Sequence, residues 1–534
     1  MNTISADDLR QRLSPPDGTW PRRAWALFDV REVGEAQRGH IPSATFLPRR
    51  MLEFRLPELV PAPATAVVLY DRGDGDARAH RAAATLARLG YTDLTCLDGG
   101  LAAWTAAGND VDTGWNVPCK DFGERVLVTG DVPYLTADEL AARLAEGQNI
   151  GAYDVRTGRE YRDGSLPVSI SAPSFEWALH AKDMAAAHDA IVIHCAGRTR
   201  SIIGAATARV LGMANFWALE NGTMGWRLSD RDLAKGQARE LGEPSPESRK
   251  DATERARKLA TDQGAQFMAP ADLKALLDRR GDAPAYLFDT RTTRDFEAGH
   301  IPHAILLPGG QACQRADDFA AVPGAPVVFV DDGDARAALS AYWFRRMGFP
   351  RVSVLEGGVA AWRAAGHQVE TGRDRPMPLG LSEAERRSVP WDAAMMRRAL
   401  AVSDPPAVID VGPSKRVAAA HLKGARWAPR GFLEDRIGAV ADPSAPVVVT
   451  AWQPEQATFA AATLADMGYR SVARLTVPGR AWADSFEVEG GLPADAEPTL
   501  DTLAIPYRES RESMLAYLEW EEKLGERHRD PSGS

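Results

Sequence analysis

The chain has 534 residues, 45% hydrophobic and 25% charged, with a net charge of −10. Length and apolar content suggest roughly three to five ordinary globular domains, and the acidic balance argues against a nucleic-acid binder or a polybasic membrane binder while leaving room for a local basic pocket. Cys96, Cys119, Cys195 and Cys313 are scattered, with no C-x-x-C pair, so neither a disulfide framework nor a zinc site is expected and a reducing compartment fits. Met1 to Arg10 is polar and acidic, without the apolar core of a signal peptide, and no apolar run reaches membrane-spanning length; the cytoplasm is the expected location, with no membrane association.

Read in order, the chain repeats one unit four times. Each copy opens on a short apolar run ending in aspartate, at Asp29, Asp154, Asp289 and Asp410. A turn phrase follows: Gly39-His40-Ile41-Pro42 and Gly299-His300-Ile301-Pro302, with looser versions at Gly164-Ser165-Leu166-Pro167 and Ala420-His421-Leu422-Lys423. Next come β-branched runs at Val67 to Tyr70, Ile191 to His194, Val327 to Val330 and Val447 to Thr450. Such runs are expected as central, buried strands. Each leads through a loop into an alanine-rich helical stretch, then a further strand, a glycine-containing turn and a tryptophan: Trp104, Trp226, Trp362 and Trp482. The tryptophans recur whatever the loop residues are, which marks them as core anchors. Strands alternating with helices predict α/β domains, each with a mostly parallel central sheet flanked by helices. The expected boundaries are 1–110, 130–232, 265–370 and 388–490, with a C-terminal extension over 491–534.

Between copies, Ala107 to Pro133 reads as a glycine- and proline-containing linker, Ser245 to Gly264 as a solvated charged helix, and Gly372 to Pro390 as a short linker. After the fourth copy Pro498 to Pro506 is expected to be extended. Glu512 to Arg527 has helical spacing of Met514, Leu515, Leu518 and Leu524, with Trp520 adding apolar surface, and should pack on a domain or a partner subunit. Asp530 to Ser534 is expected to fray.

The chemistry concentrates at Ile191 to Ser201, I-V-I-H-C-A-G-R-T-R-S. Cys195 falls at the end of a predicted strand and the mouth of a predicted helix. The outward-pointing amides of a helix N-terminus favour anions, and together with Arg198 and Arg200 they would favour a reactive thiolate. His194 precedes Cys195 on the strand, so its side chain points to the opposite face and it is a poor general base. Cys119 reads as an incidental thiol; only an exposed one could relay sulfur.

The ordered phrases Asp-Val-Arg, Gly-His-Ile-Pro, strand–Cys–loop–helix and Gly-Gly-x-x-x-Trp resemble the rhodanese superfamily of sulfurtransferases. The resemblance covers nearly the whole chain as four tandem rhodanese-like domains, and implies an active loop at the C-terminal end of the central strand. It further implies that Cys195 takes a sulfane sulfur from an anionic donor such as thiosulfate, becomes a persulfide, and passes the sulfur to cyanide or a thiol. The loop Ala196, Gly197, Arg198, Thr199, Arg200 would cradle the persulfide and the incoming anion, Arg198 and Arg200 would supply positive charge, and Arg156 would border the pocket. No metal and no organic cofactor is implied.

Aligning the central strands places Asp71, Cys195, Asp331 and Ala451 in one slot. A carboxylate or methyl cannot carry a persulfide, so one active and three inactive copies are expected. The acidic loops Asp71 to Asp76 and Asp331 to Asp334 invite a calcium reading, but their spacing does not match an EF-hand; they read as degenerate surface loops. The four opening aspartates, shared by all copies, read as structural, as do His40, His300 and His421. In the second copy the turn lacks histidine and runs on through Ser171 to Glu176; as a pocket wall, that segment would alter donor or acceptor preference. Two other functions compete: a partner-docking scaffold or homodimer surface built by the degenerate copies, and a phosphatase, although Cys195 and Arg200 are spaced Cys-x4-Arg, one residue short of the Cys-x5-Arg loop.

Overall fold

The protein is described here from a computed structural model covering residues 2–13, 23–130, 132–373, 376–492, 500–505 and 510–529. Four five-stranded sheets follow one another along the chain with the same strand order. In the second sheet, Tyr134–Leu135, Phe216–Leu219, Ala190–His194, Ile150–Asp154 and Ile170–Ser171 lie side by side, every neighbour parallel. The middle strands Val67–Tyr70, Val327–Val330 and Val447–Thr450 are buried at every residue, as is Ile191 to His194. Their unbroken apolar runs are what a strand covered by helices on both faces requires. Each is followed by a loop and a long helix: Arg78–Arg88, Thr199–Val210, Ala335–Met347 and Pro454–Asp466. The loops therefore open at the carboxyl ends of the sheets, where open α/β sheets place their ligands. The four recurrent tryptophans are all buried, and those of the first three copies each donate the indole N–H to a backbone carbonyl six residues on.

One apolar core runs continuously through the first three repeats, whereas the fourth has its own. The second and third repeats pack helix on helix. Trp343, fully buried, donates its indole N–H to Thr207 Oγ1 across that interface at 2.9 Å. The fourth repeat docks on the first through ion pairs of Arg430 with Glu53, at 2.5 Å, and of Arg49 with Glu434.

Three readings of the sequence need correction. The stretch read as a linker from Ala107 contains a 13-residue helix, Val117–Thr129, whose inner face carries Val117, Phe122 and Val126. Gly372 to Pro390 likewise contains a short helix, Leu381–Glu385. The charged helix, Pro246–Asp262, is solvated on one side only: Ala252, Ala256 and Ala260, one turn apart, are buried in the shared core. Third, the acidic loops lie at the surface only in part: Asp74 and Asp332 are exposed, whereas Asp71, Asp331 and Asp334 are buried, their carboxylates taken up by backbone amides and arginines. The predicted tail helix is Arg511–Glu526, capped by Ser510. Of the stretch expected to be extended, 500–505 contains neither helix nor strand; its remaining residues, and Asp530 to Ser534, lie outside the described residues. Among the described residues no helix is long and apolar enough to cross a membrane.

Candidate active site

Cys195 stands immediately after the strand Ala190–His194, and the next helix begins at Thr199. The loop between them is held from behind. Thr223 N and Met224 N, in the first turn of Gly222–Leu228, donate to the carbonyls of Cys195 and Ala196 at 2.9 and 3.0 Å. Gly222 explains the glycine of the turn before the tryptophan in the first three copies, where Gly100 and Gly358 likewise meet the backbone after Asp71 and Asp331. The φ of Gly222 is +52°, and a Cβ there would lie 2.3 Å from the Cys195 carbonyl oxygen. No side chain fits, so the loop can sit directly on that turn.

Cys195 is 2% exposed, and only Arg198 in the loop is more than marginally accessible. Its Sγ lies 3.4 Å from Ser201 Oγ, which also donates to the Arg198 carbonyl at 2.8 Å. Ser201 is thus a site residue that the sequence reading passed over, although its place in the first turn of the helix behind the thiol was a usable signal. Two elements cover the loop. Gly123, on the helix Val117–Thr129, abuts Thr199, and Gly197 faces Met224, Tyr517 and Glu521, the last two on the C-terminal helix.

The arginines assigned to anion binding are held by carboxylates. Arg198 makes two 2.7 Å hydrogen bonds to Glu124 and one of 3.1 Å to Glu522. Arg200 makes two to Glu160, at 3.0 and 2.9 Å, and this guanidinium, with Arg156 nearby, holds the half-buried Glu160 carboxyl far below its usual range against the opposing effect of desolvation. Arg156 is committed to the backbone of the fold, with Nε and Nη2 on Asp154 and Nη2 also on the Gly164 carbonyl. Arg31 and Arg291 repeat this clasp on Asp29 and Asp289, as expected of structural aspartates. His194, buried beneath the sheet and paired with Ser169 Oγ at 2.6 Å, is pushed down to about 4 by desolvation. His40, His300 and His421 each bond through Nδ1 to the carbonyl four residues earlier.

Cys119 is fully buried beside Asp317, and burial raises its thiol well above the ordinary value; the exposed thiol that a relay needs is not present there. Cys313, also buried, is pushed up in the same way. The segment from Ser171 to Glu176 docks the third repeat. Ser174 Oγ accepts the Gly310 amide, and Glu176 pairs with Arg336 at 2.7 Å.

A buried thiol in an amide-rich loop, at the carboxyl edge of a parallel sheet, defines an α/β protein of the thiol-loop class. The model of the rhodanese-like domain matches residues 5–107, 136–229 and 269–365, more than half of the chain, and the chain belongs to that family. It is 33% identical over 108 residues to a sulfurtransferase of Allochromatium vinosum, a match spanning 20% of this chain and 92% of that protein. It is 27% identical over 141 residues to a putative thiosulfate sulfurtransferase, SseB, of Mycobacterium tuberculosis, spanning 21% of this chain and 49% of that one. Across its whole length it is similar to the crystal structure of a thiosulfate sulfurtransferase from Pseudomonas aeruginosa, with 34% identity, a TM-score of 0.87, and 98% and 97% of the two chains covered.

Proposed function

We propose that the chain is a sulfurtransferase that moves a sulfane sulfur through a persulfide on Cys195. The observation that carries this reading is that, of four equivalent slots after the four central strands, one holds a thiol; the others hold Asp71, Asp331 and Ala451. The Cys195 thiolate attacks the outer sulfur of thiosulfate, a sulfur–sulfur bond forms, and sulfite leaves with the electron pair of the broken bond. Cyanide or an acceptor thiolate then attacks the outer sulfur of the persulfide, and Cys195 departs as thiolate. The amides of Ala196 to Arg200 and the start of the helix Thr199–Val210 stabilise the anionic sulfur. Because Arg198 and Arg200 are each matched by carboxylates, their main work is to hold the loop open and rigid; the amides supply most of the local positive field. The first, third and fourth repeats carry no persulfide and serve as framework.

The test is intact mass of the reduced protein after incubation with thiosulfate, beside Cys195→Ser. The expected result is a gain of one sulfur atom, discharged by cyanide and absent from the variant. A gain that persists in the variant, or no gain from thiosulfate or from a persulfide donor, overturns the reading.

A further inference from the structure

Residues 500–505 form a strap that is tied to two repeats at once. The Leu500 carbonyl accepts the Gly34 amide at 2.6 Å. A Cβ at Gly34 would lie 2.5 Å from that oxygen and 2.8 Å from the Thr502 carbonyl oxygen, so the strap rests directly on the helix Val33–Arg38. On the same helix, the Gln37 side chain donates to the Ala504 carbonyl at 3.0 Å and accepts the Ala504 amide at 2.9 Å, pairing with the strap as a neighbouring strand would. Between these contacts Asp501, 4% exposed, gives its carboxylate to the fourth repeat, where it accepts both the amide and the hydroxyl of Ser414. Its carbonyl accepts from Arg50 of the first repeat at 3.2 Å. Leu500 has a φ of +51°, a conformation that leucine adopts only where its surroundings hold it there.

Gln37 also joins the strap to the C-terminal helix. Its carbonyl accepts the Gly114 amide at 2.7 Å, and a Cβ at Gly114 would run into the ring of Trp520. Trp520 belongs to the helix Arg511–Glu526, which covers Gly197 with Tyr517 and Glu521 and reaches Arg198 with Glu522. The seat of that helix is imperfect. The Lys120 ammonium and Glu521 Oε2 are both buried in it without a hydrogen-bond partner, and each carries a desolvation cost that no hydrogen bond offsets. A helix seated in this way owes its place to the tether that delivers it, because a shorter, fixed tether raises its effective concentration over the seat. We infer that Asp501 is a positioning residue for the thiol loop: it fixes the strap, the strap holds the C-terminal helix on Gly197, and access to Cys195 is set from the fourth repeat. The fourth repeat, which holds Ala451 in the thiol slot and has a core of its own, thus governs the thiol of the second.

The experiment follows alkylation of Cys195 by iodoacetamide in the full chain, read by peptide mass. Asp501→Ala is expected to raise the rate at least fivefold. Asp501→Asn, which keeps an acceptor oxygen for Ser414, is expected to stay within about twofold of the unaltered protein. Hydrogen exchange of Ala190–His194 stays slow in both, so that the thiol is reached with the second repeat folded. In a chain that lacks residues 510–534 the Asp501→Ala change adds nothing, because the helix through which it acts is gone. A smaller rise in Asp501→Ala, an equal acceleration with and without the helix, or faster exchange in Ala190–His194 overturns the inference. Where Asp501→Ala does not fold, Gln37→Ala decides, since that side chain bonds Ala504 and alanine keeps the helix beneath the strap. A rise of at least threefold that vanishes in the shortened chain supports the inference, and a smaller one overturns it. Alkylation needs only the thiol, so neither outcome depends on the sulfurtransferase reading.

Discussion

The Asp331 carboxylate accepts the amide of Ala337 at 2.8 Å, six residues on. This is the loop position that Ser201 holds behind Cys195. The other Asp331 oxygen accepts from Gly333 at 2.8 Å, and in the first repeat Asp71 likewise accepts from Gly73 and Ala79, at 2.9 and 2.8 Å. In these two loops the backbone amides converge on a carboxylate of the loop's own. Burial, with Asp334 beside it, raises the Asp331 carboxyl well above its usual range, so the cradle is bonded to a group that is expensive to bury. Asp331→Ala leaves those amides without acceptors and should destabilise the third repeat by about 1–3 kcal/mol, while Asp331→Asn, which keeps an acceptor oxygen, costs less. Hydrogen exchange over Val327–Val330 reads the difference. Mass after thiosulfate treatment should still show one added sulfur; a second, or none, would break the assignment of a single sulfur-carrying loop.

Glu160 occupies the third position of the helix Gly158–Asp163 and closes a capping box with Thr157, while both its oxygens hold Arg200. Glutamine serves the same box but removes the charge. Glu160→Gln therefore leaves the local fold intact and adds one net positive charge beside the loop. The KM for thiosulfate should fall roughly three- to tenfold at low salt, with the gain shrinking toward unity as ionic strength rises. An unchanged KM would mean that the donor anion approaches by a path remote from Arg200.

The slot holding Cys195 and the fourfold strand order were legible in the sequence because both are local. A β-branched run ending at a fixed loop repeats four times, and burial on both faces demands that run. The covering elements were not. Gly114, Pro118 and Gly123 made the stretch after Ala107 read as a linker. Yet Pro118 lies in the first turn of the helix Val117–Thr129, where proline loses no hydrogen bond, and Gly123 is the close contact that lets that helix meet Thr199. The carboxylates matching Arg198 are 74 and 324 residues away, and no periodicity announces a pairing over such a distance. Ala252, Ala256 and Ala260 did leave a signal, a small-residue stripe at helical spacing, which the charge around it obscured.

The C-terminal helix seals the loop from one side. Met514, Tyr517 and Leu518 pack on Met224, Glu522 reaches Arg198, and Glu521, 2% exposed, faces Gly197. Beneath it the Lys120 ammonium sits over the rings of Trp115, Trp520 and Tyr517, 3.7, 4.6 and 5.0 Å from their centroids. Burial pushes this amine down to about 8, an effect that Glu521 opposes. Deleting residues 510–534 uncovers Gly197 and should raise the rate of Cys195 alkylation by iodoacetamide at least tenfold, read by peptide mass, with Cys119 and Cys313 still protected in their cores. An unchanged rate would show that reagents reach the thiol from the side of the Glu160–Arg200 pair, with the helix as a fixed wall.

The fourth repeat carries a cost that the other three avoid. Asp29, Asp154 and Asp289 are each clasped by an arginine two residues on, whereas Asp410 meets Gly412, whose amide it accepts at 2.8 Å. With no guanidinium in that place, desolvation pushes the Asp410 carboxyl up to about 7 from an ordinary 3.8, against that amide and His421, which both act to lower it. Between those values the folded state keeps a proton that the unfolded chain has released, so this group's contribution falls as pH rises from about 4 to 7 and stays low above that. Asp410→Asn removes the titration. The fourth repeat should then gain about 2–4 kcal/mol at pH 8 and nothing at pH 4. Hydrogen exchange of Val447–Thr450 at the two pH values, corrected for intrinsic rates, gives the comparison. A gain of equal size at both would attribute the effect to packing and remove the buried carboxylate as its cause.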